Sequence, residues 1–218
     1  MTDILIDLRM ADLLDRYEVR GTFYIPPASV ERELMSERDI IEIASRHEVG
    51  GHTVHHLDLT EIPLPAAISE VYDCKQRLES LTSQDVRVFS YPKGRHNDQV
   101  IRIVKDAGFL GARTVCWFHI ELPRDPYLMP PTINASLHYR MIDIAHLVRR
   151  WNPTGLIRYI FVSRLNSNWK TVAIQWFEYV CRHGRVWHLS GHSWEVDQLD
   201  LWEDLEQVLR YVARRGGN

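Results

Sequence analysis

A chain of 218 residues, 45% hydrophobic and 25% charged, can bury one sizeable core and has the make-up of an ordinary globular protein. Its formal net charge of −3 argues against a broad basic footprint for nucleic acid, since Arg210, Arg214 and Arg215 are diluted by Glu203, Asp204 and Glu206. Cys74, Cys116 and Cys181 are widely spaced without a C-x-x-C pattern, which sets aside a zinc knuckle and a disulfide framework.

In chain order, Leu8 to Tyr17 carries apolar residues at 8, 10, 13 and 14, which suits one face of a helix. Gly21 to Ile25 reads as a short buried strand stopped by Pro26-Pro27. Ser36, with Glu37 and Asp39 behind it, predicts a capped helix running to Ala44. Glu48-Val49-Gly50-Gly51-His52 reads as a strand end. A helix over Ala66–Leu81 follows, then a strand over Val86–Tyr91, closed by Pro92 and Gly94. Asp98–Ala107 is the next helix, ended by Gly108, and Gly111–Thr114 starts the next strand. Pro123 to Pro131 is a loop. Met141–Trp151 and Val172–His183 read as helices, the latter stopped by Gly184. Arg185–Ser190 is the last strand and Leu201–Arg215 the last helix. Alternating strands and helices imply an α/β fold with a parallel sheet, in one domain over residues 1–218. No basic segment leads into a long apolar run at the start, and no stretch of about eighteen apolar residues occurs, so the expectation is a cytoplasmic protein without a membrane partner.

Three places carry side chains fit for chemistry. In His52-Thr53-Val54-His55-His56, two imidazoles four residues apart can face one way on a helical turn and share a metal ion. Spacing alone fits an exposed loop equally well; the glycine pair leading into the motif favours the metal. Phe89 to Asn97 puts a Pro/Gly turn at a strand end, where a backbone N–H can face a developing oxyanion, although taken alone it is an ordinary turn. His188 and His192 lie in a segment ending in Gly191-His192-Ser193-Trp194-Glu195 at the close of a strand, where a histidine can act as general acid. His188 is the better candidate for a core histidine.

Together these segments resemble the polysaccharide deacetylases of the NodB-homology kind. Gly21-Thr22-Phe23-Tyr24 is similar to their [AG]-T-F-[FY] strand, and His47-Glu48-Val49-Gly50-Gly51-His52 through His56 to their H-E-[IV]-G-x-H-[ST]-x-x-H motif. Tyr91-Pro92-Lys93-Gly94 and Gly191-His192-Ser193-Trp194-Glu195 follow in family order. The resemblance implies a distorted (β/α)7-type barrel and a metal-dependent hydrolase that removes acetyl groups from a carbohydrate. It implies one divalent metal, most often zinc, held by His52, His56 and an aspartate. It also implies a second aspartate as base and His192 as general acid, with Tyr91, Pro92 and Trp194 against an acetylated carbohydrate and the backbone N–H near Tyr91 on the oxyanion.

The family's D-D-G motif has no counterpart here. Its place falls at or before Met1, and the chain offers Asp3 and Asp7 outside such a context. Ser90 stands where an arginine is common and Lys93 where an aromatic residue is. Either the pair and the first barrel strand precede this start, which the absence of an apolar strand at residues 2–6 favours, or Asp3 serves as the ligand. Loss of the pair would impair catalysis. A different class, a non-catalytic carbohydrate-binding relative, would keep the same aromatic residues Tyr91, Trp117 and Trp194.

Overall fold

The structure, a computed structural model, describes residues 3–28 and 35–216, with the backbone alone at 3–5 and 216. The chain, read as one domain from its sequence, falls into two compact units: Met1–Val115 with Pro123–Met129, and Cys116–Leu122 with Pro130–Asn218.

The first unit alternates as the sequence predicts. Helix α1 (Asp3–Arg16) precedes β1 (Thr22–Ile25), α2 (Glu37–Arg46), β2 (Glu48–Gly51), α3 (Leu64–Thr82), β3 (Val88–Ser90), α4 (Asp98–Asp106) and β4 (Gly111–Arg113). The strands form one parallel sheet in the order β1-β2-β3-β4, with Thr22 opposite Glu48, Gly51 opposite Phe89 and Val88 opposite Gly111. Parallel neighbours need a crossover between them, and α2, α3 and α4 provide it. Ser36 begins α2 with a reciprocal cap: its hydroxyl accepts the Asp39 N–H at 3.2 Å and the Asp39 carboxylate accepts the Ser36 N–H at 3.2 Å. Ile40, Ile43, Val71, Cys74, Leu78, Phe89, Val104 and Phe109 fill the core behind the sheet. Cys74 is fully buried, and burial pushes its thiol up to about 12, which keeps it a neutral packing group.

The glycine pair of β2 has a packing cause. Successive strand residues point to opposite faces. A Cβ on Gly50 would stand 2.6 Å from the Tyr24 ring, and one on Gly51 2.8 Å from the Phe109 ring. Aromatic rings therefore close over β2 from both sides, and the end of this strand is held flat between them.

The second unit holds β5 (Ile133–Asn134), α5 (Arg140–Arg149), α6 (Pro153–Ser163), α7 (Trp169–His183), β6 (Leu189–Ser190), α8 (Ser193–Gln198) and α9 (Trp202–Gly216). Strands β5 and β6 pair in parallel, Ile133 with Leu189. The strand expected over Arg185–Ser190 pairs across its last two residues alone. Before them Val186 donates its N–H to the Ile120 carbonyl, and His188 exchanges bonds with Thr132, so the segment is pinned without forming a ladder. Helix α6 is a difference from the sequence reading, which assigns nothing to 153–163. Asn152 caps it, accepting the Gly155 N–H at 2.8 Å, and Pro153 takes the first helical position. Gly155 is required there, because a Cβ would fall 2.3 Å from the Asn152 amide.

Inside this unit lies a buried polar group. His138 faces Asp143 Oδ1 with Nδ1 at 2.9 Å and the Asn134 carbonyl with Nε2 at 2.9 Å, and the Tyr159 hydroxyl stands 3.0 Å from Asp143 Oδ2. All three are buried. Trp117 stacks on His146 with ring centroids 3.8 Å apart. Burial, seconded by Arg150, pushes the His146 imidazole down to about 4, with His119 and Arg149 acting the same way and Asp143 against them. A histidine depressed when folded leaves the unfolded chain binding more protons below its ordinary value near 6.5. Stability is thus expected to be flat above that pH and to fall as pH drops toward about 4. Urea midpoints across that window, with His146→Gln as comparison, check it: a variant whose curve falls as steeply as that of the unaltered chain would remove His146 from the account.

Candidate functional site

Strand β2 ends at Gly51, and the next five residues carry the histidine motif. The expected helical turn is absent: residues 52–56 form a loop, with Thr53 and His56 both at φ 61. These left-handed positions fold the loop back on itself. They bring the His52 and His56 rings to a centroid separation of 4.7 Å, both half-buried. A loop and not a helix face brings the two rings together.

Three contacts hold this loop. His52 Nδ1 donates to the Ser90 carbonyl at 2.7 Å, so the neutral ring carries its lone pair on Nε2. A histidine that binds a metal through one nitrogen commonly donates the other to such an acceptor. The buried Glu70 of α3 accepts the His55 N–H at 2.9 Å with one oxygen and faces His55 Nδ1 at 2.5 Å with the other, while its own carbonyl accepts the Val54 N–H at 3.2 Å. His55 therefore turns away toward α3, which separates it from the 52/56 pair. Downstream, buried Asp58 accepts from the Thr60 N–H and hydroxyl and from Arg95 at 2.8 Å, and Arg95 also bonds Glu61. Burial alone would raise the Asp58 carboxyl, but those Thr60 and Arg95 bonds outweigh it and hold it below the usual carboxylate range.

Strand β3 ends at Ser90, next to the Tyr91-Pro92-Lys93-Gly94 turn. Pro92–Gly94 is a single 3-10 turn with Lys93 at φ 57 and Gly94 at φ 65. At Gly94 a Cβ would also meet Val115 at 2.2 Å. Tyr91 and Pro92, expected against substrate, are both buried. The Tyr91 ring packs beside Phe89 and His96, and burial pushes its phenol well above the usual range. The Tyr91 N–H donates to the Arg113 carbonyl at 3.2 Å, extending the β3–β4 ladder past Ser90. That corrects the oxyanion expectation for this amide: it is already committed to the sheet.

In the second unit, His192 follows β6 by two residues, stands just before α8 without a side-chain capping bond and is largely exposed. Its Nδ1 stands 3.4 Å from Glu195 Oε2 and its ring 5.3 Å from that of Trp194. His188 is half-buried, its N–H donating to the Thr132 hydroxyl at 3.1 Å. Asp3 starts helix α1, and its side chain lies outside the described residues.

For a divalent cation the donor chemistry fits in part. Two imidazoles converge and one is fixed in the tautomer that presents Nε2. Among the described residues, no group of three or more histidine, cysteine, aspartate and glutamate side chains gathers around an ion position. His52 and Tyr91 both follow the C-terminal ends of parallel strands, the end where such sheets place their chemistry. A cavity of about 650 Å³ lies at the opposite, N-terminal end of the sheet, lined by Arg20, Thr22, Glu48 and Arg87. It holds no histidine and is set aside.

Residues 6–112 match the family described as polysaccharide deacetylase. A peptidoglycan-N-acetylglucosamine deacetylase of Bacillus cereus is 28% identical over 117 residues, 54% of this chain and 52% of that protein. YxkH of Bacillus subtilis, named for the same family, is 24% identical over 99 residues, 44% of this chain and 36% of that one. The chain thus spans about half or less of the length of these curated relatives. A solved structure from Mycobacterium smegmatis, also named for the family, superposes with a TM-score of 0.63 at 16% identity, covering 98% of this chain and 72% of its own. That likeness establishes the α/β fold.

Proposed function

Because residues 6–112 match the polysaccharide deacetylase family, we propose that this chain is a metal-dependent hydrolase of acetyl groups on a carbohydrate, impaired by the lack of an aspartate pair. One observation supports it above the others: His52 and His56 converge at the end of β2, with His52 set by the Ser90 carbonyl to offer Nε2. These two residues would hold the ion, with Asp3 as a third ligand only in the alternative in which it replaces the missing aspartate. When bound, a divalent metal such as zinc acidifies water and polarises the acetyl carbonyl.

The chain's own residues supply the remainder. Glu70 and Ser90 orient the histidine loop, and the Tyr91–Gly94 turn shapes the surface beside it. His192 is the proposed proton donor to the leaving amine, with Glu195 beside its Nδ1 to orient the ring, and Trp194 the proposed sugar platform. No D-D-G stands in the sequence. Two neutral imidazoles hold zinc less firmly than the three protein ligands usual for a catalytic site, and loss of the base costs about 10²–10⁴ in rate. By the curated relative's name, an N-acetylated glucosamine polymer is the substrate class to try first. The cytoplasm is the proposed location.

The test is zinc titration by calorimetry together with acetate release from an acetylated glucosamine oligomer. Weak zinc binding and slow, zinc-requiring release are expected. Full activity that Asp3→Ala abolishes would show that Asp3 fills the missing role and that the chain is not impaired. Release indifferent to a chelator would defeat metal dependence. Oligomer binding with neither zinc uptake nor acetate release would mark a carbohydrate-binding relative.

A further inference from the structure

The helix–turn–helix α5–α6 of the second unit shows solvent a face that a globular surface seldom shows. On α5 the buried residues Asp143 and Leu147 mark the inner side, and Met141, Ile142 and Val148 lie outward. On α6 the inner stripe is Gly155, Tyr159 and Ser163, and Ile157, Ile160 and Phe161 lie outward. Both helices therefore turn large apolar side chains to water on the face opposite their core stripe. Trp151, in the turn between them, is 91% exposed, Phe161 77% and Met141 73%. Scattered exposed apolar residues need no explanation, whereas a contiguous group marks a surface built to be covered.

The turn is a rigid mount. Trp151 sits at φ 49, its N–H bonded to the Val148 carbonyl, and the next residue, Asn152, is buried and caps α6. The indole is held out from the surface by a backbone that is fixed on both sides.

Charge identifies the occupant. Between residues 137 and 165 the chain has five arginines and a single acid, Asp143, in a protein whose net charge is −3. Asp143 is buried against His138 and Tyr159, and Arg158 is paired with Glu121. Arg140, Arg149, Arg150 and Arg164 are exposed around the apolar face. A second copy packed on this face by a two-fold axis would bring two such arginine sets together, which like-charge repulsion opposes. An aromatic and aliphatic centre with an arginine border suits an anionic lipid surface, where apolar side chains enter the headgroup–acyl boundary and cations meet lipid phosphates.

We propose that α5–α6 is a peripheral docking face for an anionic bilayer, with Trp151 and Phe161 as its inserting side chains. No described helix is long and apolar enough to cross a membrane, so the attachment is to one leaflet. The sequence expectation of no membrane partner weighed spanning segments alone.

The experiment is co-sedimentation of the full chain with vesicles of phosphatidylcholine alone, or of phosphatidylcholine and phosphatidylglycerol in equal parts. Partitioning is expected to be about tenfold or more stronger on the anionic vesicles and to weaken at about 0.5 M salt. The double variant Trp151→Glu/Phe161→Glu is expected to lose about tenfold or more, and Arg149→Glu/Arg150→Glu to remove the preference for anionic lipid. Both alter exposed positions, and circular dichroism confirms that they fold. Equal partitioning on the two vesicle types, no partitioning, or retention by the Trp151/Phe161 variant would each overturn the proposal. So would a concentration-dependent dimer in sedimentation velocity that the same variant abolishes, which would make a second copy the occupant.

Discussion

His52→Ala is expected to weaken zinc binding by about 10²-fold or more, with a loss of about 1 kcal/mol in unfolding free energy. Removing one outer-shell partner of a metal-binding histidine typically costs about 10–100-fold in affinity, and removing one of two converging ligands costs at least as much. The stability term is smaller because the side chain is half-buried and gives up one hydrogen bond, to the Ser90 carbonyl. His56→Ala is expected to match it in zinc affinity, since the two rings share one approach. His55→Ala is the control: that ring faces Glu70, so zinc affinity is expected to change less than about tenfold, within the range of an outer partner. Calorimetric titration of the three variants decides the assignment. Affinities for His52→Ala and His56→Ala equal to that of the unaltered chain would end the metal reading, and a collapse in His55→Ala alone would move it to the wrong side of the loop.

Asp143→Ala is expected to cost about 3–5 kcal/mol, the largest stability effect of any single change proposed for this chain. Its two oxygens receive His138 and Tyr159 inside the second unit, and all three side chains are buried. Deleting the carboxylate strands the His138 Nδ1 face without its acceptor and opens a void beside two rings, so the desolvation of the remaining groups is no longer offset. Asp143→Asn keeps the volume and one acceptor oxygen and is expected to cost about 1–2 kcal/mol less. Urea unfolding with a far-ultraviolet readout measures both. A cost below about 1 kcal/mol for Asp143→Ala would mean that the group is redundant for stability.

Where local chemistry dictates local structure, the sequence was a good guide. Ser36 and Asp39 cap α2 as a reciprocal pair, Gly184 ends α7 in the left-handed region, and the alternation through residue 113 becomes a parallel sheet. The elements that escaped reading depend on context. Residues 156–162 are apolar and β-branched enough to suit a strand, and Asn152-Pro153 was the available sign of a helix start. The spacing of His52 and His56 fits a helical turn and a loop equally, and the sequence carries no glycine to announce the positive φ at Thr53 and His56 that decides for the loop. The bond that sets the His52 tautomer comes from the Ser90 backbone carbonyl, and a backbone acceptor leaves no trace in residue type. Likewise the Tyr91 amide was unreadable, because its partner Arg113 lies on another strand. Glu70 could have been found: a carboxylate on the inward stripe of α3, with Ala67, Val71, Cys74 and Leu78, needs a partner, and the histidine loop is where one lies.

The parallel pairing of every described strand has a consequence for how fast this chain can fold. No sheet contact can start as a hairpin, so each waits for a loop to close around a finished or half-finished crossover helix. For β1 and β2 the wait is modest, since Thr22 and Glu48 are 26 residues apart. In the second unit, Thr132 must find Val186 across 54 residues, with α5, α6 and α7 lying between. Folding should therefore be slow and ordered: the helices of the second unit come first, and β5–β6 closes over them last. Until it closes, the β5 edge and the inner face of α7, with Val172, Trp176 and Val180, stand open together, which makes that interval the one in which the nascent chain is most exposed to aggregation.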